Sequence, residues 1–430
     1  MGKRHSTSNV LLAVVRKHRA DHRIVLYMGM LMLLGLVVMY AIGPQRAHVL
    51  NNSYGTDFYS GTFFFTKQTI SLLLALVAFY IFSKIPIHIL KKHAWHLLLV
   101  AFGACVLLVL LGNIANSSIA QCSLGACRWF KLGPLGSIQP AEFLKLAILL
   151  FFAMFLAVKA KAGKVNDLHE TLIPLGVLLA TAIIFVIGFQ RDMGTGAALI
   201  AIVVSILFAA GINRRIGFIS LGILLLAGVA LIITAPHRME RVTAFLAGDN
   251  VGTSNADTYH IAHAKIAIGT GGLLGVGIGN SVQATGYLPE AINDSVFAIM
   301  GETFGFIGLI AILALFTGLL LRILDVANRL PDMFSRLVAV GVFAWLAAHV
   351  LLNIAAMTGL LPLTGITLPL LSFGGTSMVF IAGAIGLVFQ LSRYTSHEAH
   401  EKGGAYENPR SRRGVGRSRH SGRRSPRRVS

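Results

Sequence analysis

Ten apolar runs, each about long enough to cross a bilayer, constrain this chain more than any other feature. They lie at roughly 25–42, 67–83, 95–112, 140–158, 172–189, 194–211, 216–235, 296–321, 337–357 and 373–392, close to the ~20 residues a membrane-spanning helix needs. Backbone in hydrocarbon must satisfy its own N–H and C=O groups, so runs of this length fold as helices. The fold class is therefore all-α, a polytopic membrane protein of about ten transmembrane helices. Charged residues make up 13% of the 430 and the mean hydropathy is +0.73, whereas a soluble domain carries about a quarter charged residues.

Lys and Arg mark cytoplasmic loops, and here they fill every second connection. The basic groups are Arg16, Lys17, Arg19 and Arg23; Lys84, Lys91 and Lys92; Lys159, Lys161 and Lys164; Arg214 and Arg215; Arg322, Arg329 and Arg336; and the tail. An even number of spans puts both termini in the cytoplasm, which agrees. The first run is too long for a signal-peptide core and lacks a clear cleavage site, so it reads as an uncleaved anchor. The chain divides into a basic N-terminal segment (1–24), a membrane domain (25–393) and a tail (394–430). Much of the +20 net charge sits in that tail, where Arg410, Arg412, Arg413, Arg417, Arg419, Arg423, Arg424, Arg427 and Arg428 alternate with Ser, Gly and Pro. Such a composition buries no core and reads as disordered. Anionic inner-leaflet lipid is its expected partner, a cytoplasmic protein the alternative, and nucleic acid is not expected.

Between the last two spans, residues 353–377 carry two prolines, glycines at 359, 365, 374 and 375, and several hydroxyls. Broken backbone of this kind is packed in protein or lines a polar cavity. Two large loops, roughly 113–139 and 236–295, fall on the same, outer side, and loops this long are usually functional. The longer one contains Gly269-Thr-Gly-Gly-Leu-Leu-Gly-Val-Gly-Ile-Gly-Asn280. Without a preceding strand it is not a dinucleotide fingerprint and reads as a closely packed turn. His260 and His263 would need a third ligand to hold a metal, and no metal site is expected. Cys105 lies within a span, whereas Cys122 and Cys127 share an outer loop, either bridged or as two free thiols. Asp294 opens the eighth span, where a carboxylate is a helix cap or a chemical group. Glu142 and Lys145 share a helix face, as a structural ion pair or part of a site.

Several stretches resemble the SEDS family (shape, elongation, division and sporulation), the FtsW/RodA-like proteins. They are Gly125-Ala-Cys-Arg-Trp129, Gln139-Pro-Ala-Glu-Phe-Leu-Lys145, Gln190-Arg-Asp-Met-Gly194, Arg238 with Arg241, Leu288-Pro-Glu…Asp294 and the 353–375 segment. Departures include Cys127, Arg191 for a Pro, His260 and His263 for Gln and Ser, Asn293 for a Thr, Ser295 for an aromatic and His349 for a Gln. The wording of Gly279-Asn-Ser-Val-Gln283 leans toward the division branch.

This resemblance implies a peptidoglycan glycosyltransferase that polymerises lipid II at the outer face of the cytoplasmic membrane, with inversion and with Asp294 as general base. Substrate-binding candidates are Arg128, Trp129, Lys131, Glu142, Lys145, Arg191, Arg238, Arg241, Lys265, Glu290, Thr364 and Ser372. A divalent cation could assist the pyrophosphate; no other cofactor is expected. The implied partners are a class B penicillin-binding protein and other division proteins at the septum. A flippase for the same lipid, or a non-catalytic division scaffold, is the alternative. Ionisable residues gathered near outer helix ends favour surface chemistry over transport.

Overall fold

The computed structural model describes residues 19–115, 117–123, 126–133, 136–233, 236–246 and 256–395. Arg16, Lys17, Gly125 and the tail arginines lie outside the described residues.

Among these, nine helices are long and apolar enough to cross a membrane, and a shorter apolar helix is inserted between them. They correspond to the ten expected spans. In order they are α1 (His22–Tyr54), α2 (Phe63–Phe82), α3 (Ile87–Val109, continued helically to Ile114), α4 (Pro140–Lys161), α5 (Ile173–Ile183, part of a continuous helical span Leu168–Phe189), α6 (Met193–Ala209, the shorter span), α7 (Arg214–Ile233), α10 (Val296–Arg329), α11 (Met333–Met357) and α12 (Gly375–Leu391, continued helically to Tyr394). Within the large loop lie α8 (Pro236–Leu246) and α9 (Ala256–Thr270). Several helices begin earlier than the apolar runs, most of all α3, which starts at Ile87 rather than near 95. Its early turns carry His88, Lys91, Lys92 and His93, polar residues that lower the local hydropathy without interrupting the helix.

The core is built on α4, α11 and α12, whose most apolar stretches are 78%, 61% and 72% buried. A helix apolar on all sides belongs inside a bundle or against lipid. α4 takes the first solution. α7, with 6% of its apolar stretch buried, leaves almost all of that surface uncovered.

Contacts confirm that the basic connections share one end of the bundle. Asp21 N–H donates to Ser392 Oγ at 2.9 Å, and Arg322 lies 3.5 Å from the Asp21 carboxylate. Gln390 Nε2 donates to Ile85 O, the Lys91 ammonium sits over the Phe334 ring, and Asn213 N–H donates to Asn166 Oδ1.

At the opposite end, the 113–139 loop folds into a small antiparallel sheet that hydropathy did not reveal. It has β1 (Ala120–Ser123), β2 (Ala126–Lys131) and β3 (Ser137–Ile138) in the order β1-β2-β3. Cys122 and Cys127 are cross-strand partners joined by a disulfide, and Cys105 is a buried free thiol.

The glycine-rich turn after α9 packs backbone to backbone against a break in α10. Gly305 sits there with φ +67°. Val276 and Gly277 N–H donate to Glu302 O and Thr303 O, and Phe306 and Ile307 N–H donate to Gly272 O and Leu273 O. The groups freed by breaking the helix are thus paired, as the membrane requires. Glu302 adds a brace, accepting from Ser281 Oγ at 2.5 Å and Val282 N–H at 3.0 Å.

Candidate active site

The turn that carries Asp294 is held from four directions. Glu290 adopts φ +50°, and its carbonyl accepts from Asn293 and Ser295 N–H, closing the turn. Its carboxylate accepts from Asn293 Nδ2. Phe373 N–H, from the broken segment, donates to Ile292 O at 2.8 Å. Asn353 near the end of α11 donates through Nδ2 to Asp294 O and to Ile366 O, both at 2.7 Å. His260 on α9 meets Ser295 Oγ at 2.6 Å.

The capping role for Asp294 is not what forms. The N-cap of α10 is Ser295, and no side chain caps that end. The Asp294 Oδ1 atom is instead buried without a hydrogen-bond partner. Burial, followed by the like charge of Glu290, raises the carboxyl from an ordinary 3.8 to about 7, with backbone N–H groups and the Arg241 guanidinium opposing. A carboxylate with one oxygen buried and unpaired is costly to keep ionised, and one that titrates near neutral pH is suited to accept a proton there.

Around it the broken segment brings cations. Arg241 Nη1 donates to Leu363 O at 3.1 Å, and its Nε lies 3.9 Å from the Asp257 carboxylate. Lys265 packs on Gly359, where a Cβ would come within 2.4 Å of Lys265 Cε. Thr364 Oγ1 is buried without a partner. The start of α6 presses on the same segment, since a Cβ on Gly194 would meet Ile366 Cγ1 at 2.3 Å and Thr364 O at 3.2 Å. Just before it, Arg191 is exposed with φ +53°. Arg128 reaches over from β2, donating to Gln190 O and Arg191 O at 2.9 Å each, with its guanidinium over Trp129. Lys131 is exposed at the end of β2.

Other candidates are engaged elsewhere. Arg238 is buried and donates to Leu231 O and Ile187 O; burial and Arg191 lower its pKa. Ser372 Oγ accepts from Leu368 N–H and its carbonyl accepts from Gln68, so it braces the segment's own fold. Glu142 and Lys145 form a separate buried group, with Lys145 Nζ 2.8 Å from Glu142, 3.1 Å from His349 Nε2 and over the Trp345 ring. His349 precedes Asn353 by one helical turn on the same face, so this group lies directly beneath the Asp294 turn. His260 and His263 go to different partners, Ser295 and Gln283. Among the described residues no three His, Cys, Asp or Glu side chains converge on a metal.

The family model described as "Cell cycle protein" (FtsW, RodA, SpoVE) matches residues 21–397. Stage V sporulation protein E of Bacillus subtilis is 33% identical over 387 residues, covering 89% of this chain and 99% of that protein. The chain belongs to the FtsW/RodA/SpoVE family. A probable peptidoglycan glycosyltransferase FtsW of Nitrosomonas europaea is 35% identical over 364 residues, covering 83% of this chain and 89% of that protein. Among solved structures, a chain of a peptidoglycan synthase complex that coordinates polymerization and crosslinking superposes with a TM-score of 0.66 at 24% identity, covering 87% of this chain and 98% of that one. Thermus thermophilus RodA superposes with a TM-score of 0.59 at 22% identity, covering 88% and 98%. This FtsW/RodA/SpoVE protein is an integral membrane protein with that fold.

Asn353, His260 and Ser295 are positioned at the site yet were not among the catalytic or substrate-binding candidates read from the sequence. Asn353 carried a usable signal, an amide one turn from His349 in a stretch of α11 that is otherwise apolar from residue 337 onward.

Proposed function

We propose that this protein is a peptidoglycan glycosyltransferase that polymerises lipid II into β-1,4-linked glycan at the outer face of the cytoplasmic membrane. The acceptor's 4-hydroxyl oxygen forms a bond to C1 of the donor sugar as the α-linked polyprenyl pyrophosphate leaves with the C1–O electron pair. The hydroxyl proton passes to the Asp294 carboxylate. Such base assistance contributes ~10²–10⁴-fold. Arg241 and Lys265 on one side of the Leu363–Ile366 stretch, with Arg191 and Arg128 on the other, supply the positive charge a departing pyrophosphate needs. Trp129 and Lys131 extend that cationic side, and Thr364 Oγ1 and Glu290 border the acceptor hydroxyl. A divalent cation at this step is one carried by the pyrophosphate itself.

Both termini lie in the cytoplasm, the basic tail attracts anionic lipid, and a class B penicillin-binding protein cross-links the product at the division septum.

The observation that carries this reading is the Asp294 carboxyl, whose Oδ1 is buried without a hydrogen-bond partner and whose pKa is raised to about 7, where α9, the end of α11 and the broken segment meet its turn. Asp294→Asn keeps size and polarity. Reconstituted with the transpeptidase partner and given purified lipid II, it should fold and insert yet lose at least about a hundredfold in glycan formation. Near wild-type polymer length and yield would end the proposal.

A further inference from the structure

His260 and Ser295 form a buried pair that the proposed reaction does not use. His260 is 8% exposed and Ser295 0%. The Ser295 hydroxyl donates to Pro289 O at 2.8 Å, and His260 Nε2 lies 2.6 Å from the same oxygen. A hydroxyl has one proton to give. With that proton on Pro289 O, the Ser295 oxygen is an acceptor toward the ring, and His260 Nε2 is the donor. Burial lowers the ring to about 4, so it stays neutral at physiological pH with its proton on Nε2. The donor is therefore fixed in kind and in position. The chain His260 Nε2–H, Ser295 O–H, Pro289 O ties α9 to both ends of the turn holding Asp294.

Asp294 is thus gripped through neighbouring backbone from two sides. Asn353 takes its own carbonyl, and His260 takes the hydroxyl of the next residue. The carboxyl itself has no hydrogen-bond partner on Oδ1, so its aim depends on the backbone beneath it. A small misplacement of a reacting group costs rate far more than binding.

We infer that His260 is a positioning residue, which through Ser295 holds Asp294 in the orientation that receives the acceptor's proton. The inference rests on Asp294 being the general base. Because the residue reaches no substrate atom itself, its loss falls on turnover rather than on lipid II binding.

The test uses the full-length protein with its transpeptidase partner, purified lipid II, and kcat and KM measured separately. Monodispersity and melting temperature are recorded for each variant. His260→Leu should lower kcat about tenfold or more and leave KM within about twofold. His260→Gln, which can present an N–H donor at the Nε2 position, should recover most of that loss. Ser295→Ala should match His260→Leu, and the double variant should be no worse than either, because both break one connection. Adding His260→Leu to Asp294→Asn should cost nothing further.

Wild-type kcat in His260→Leu alongside an inactive Asp294→Asn would overturn this inference and leave the base assignment standing. Near wild-type activity in Asp294→Asn would remove the base assignment and this inference with it. An equal loss in His260→Gln and His260→Leu, in step with lower melting temperature, would mark His260 as packing only.

Discussion

Asp294 shows how one residue can be a liability to the fold and an asset to the reaction. Its carboxyl titrates near 7 because burial and Glu290 oppose ionisation. Polymerisation should therefore fall on the acid side with a midpoint near pH 7, as the base becomes protonated. Glu290→Gln removes a like charge and should move that midpoint to lower pH; an unmoved midpoint in pH–rate profiles would exclude Asp294 as the titrating group. The sign for stability is opposite to that of an ordinary salt-bridged carboxylate. An unfolded Asp titrates near ~3.9, so between about pH 4 and 7 the native state holds more protons, and stability falls as pH rises through that window. Asp294→Asn should then melt higher than wild type at pH 8 in detergent, with the gap closing toward pH 4. The cap reading of this residue, attractive in sequence, gave way because Ser295 took the N-cap position and no side chain caps that end, the Asp294 Oδ1 being left buried without a partner.

At the scale of elements, the glycine-rich turn is explained by contact with the break in α10. A Cβ on Gly275 would lie 2.2 Å from Thr303 O, at a φ of +82°. Gly279 has a similar φ of +85° but nothing within 4 Å. Substituting Ala separates the two effects. Gly279→Ala meets only the left-handed backbone penalty, roughly 1–2 kcal/mol. Gly275→Ala must also push backbone apart, so it should cost far more in melting temperature and in yield of folded protein. Equal effects would show that conformation, not close approach, sets the requirement. The β1–β2 hairpin is a second device of this kind. Its disulfide pairs Cys122 with Cys127, and Arg128 next to it is pinned on the carbonyls of Gln190 and Arg191. Spacing alone left that bridge open, since five residues of separation say nothing of strand register.

For the molecule as a whole, the basic connections gather at one end and the Asp294 turn, the hairpin and the broken segment at the other. Reporter fusions should accordingly place residues 1–24 and 394–430 in the cytoplasm and the region around 250–290 outside. An external C-terminus would contradict the alternation of charge on which that topology rests. Sequence by itself determined the spans, their alternation and the residues of the Leu288–Asp294 stretch, because apolar length and charge sidedness are local quantities set by lipid and water. It also marked 353–377 as backbone that must be enclosed. Tertiary structure alone decided that Asn353 joins Asp294 to Ile366, that His260 reaches Ser295, and that the Glu142–Lys145 pair, legible in sequence, meets His349 beneath the site. Those contacts join residues up to 204 positions apart. They exist only because the buried polar groups of a membrane bundle, with no water to turn to, must find one another.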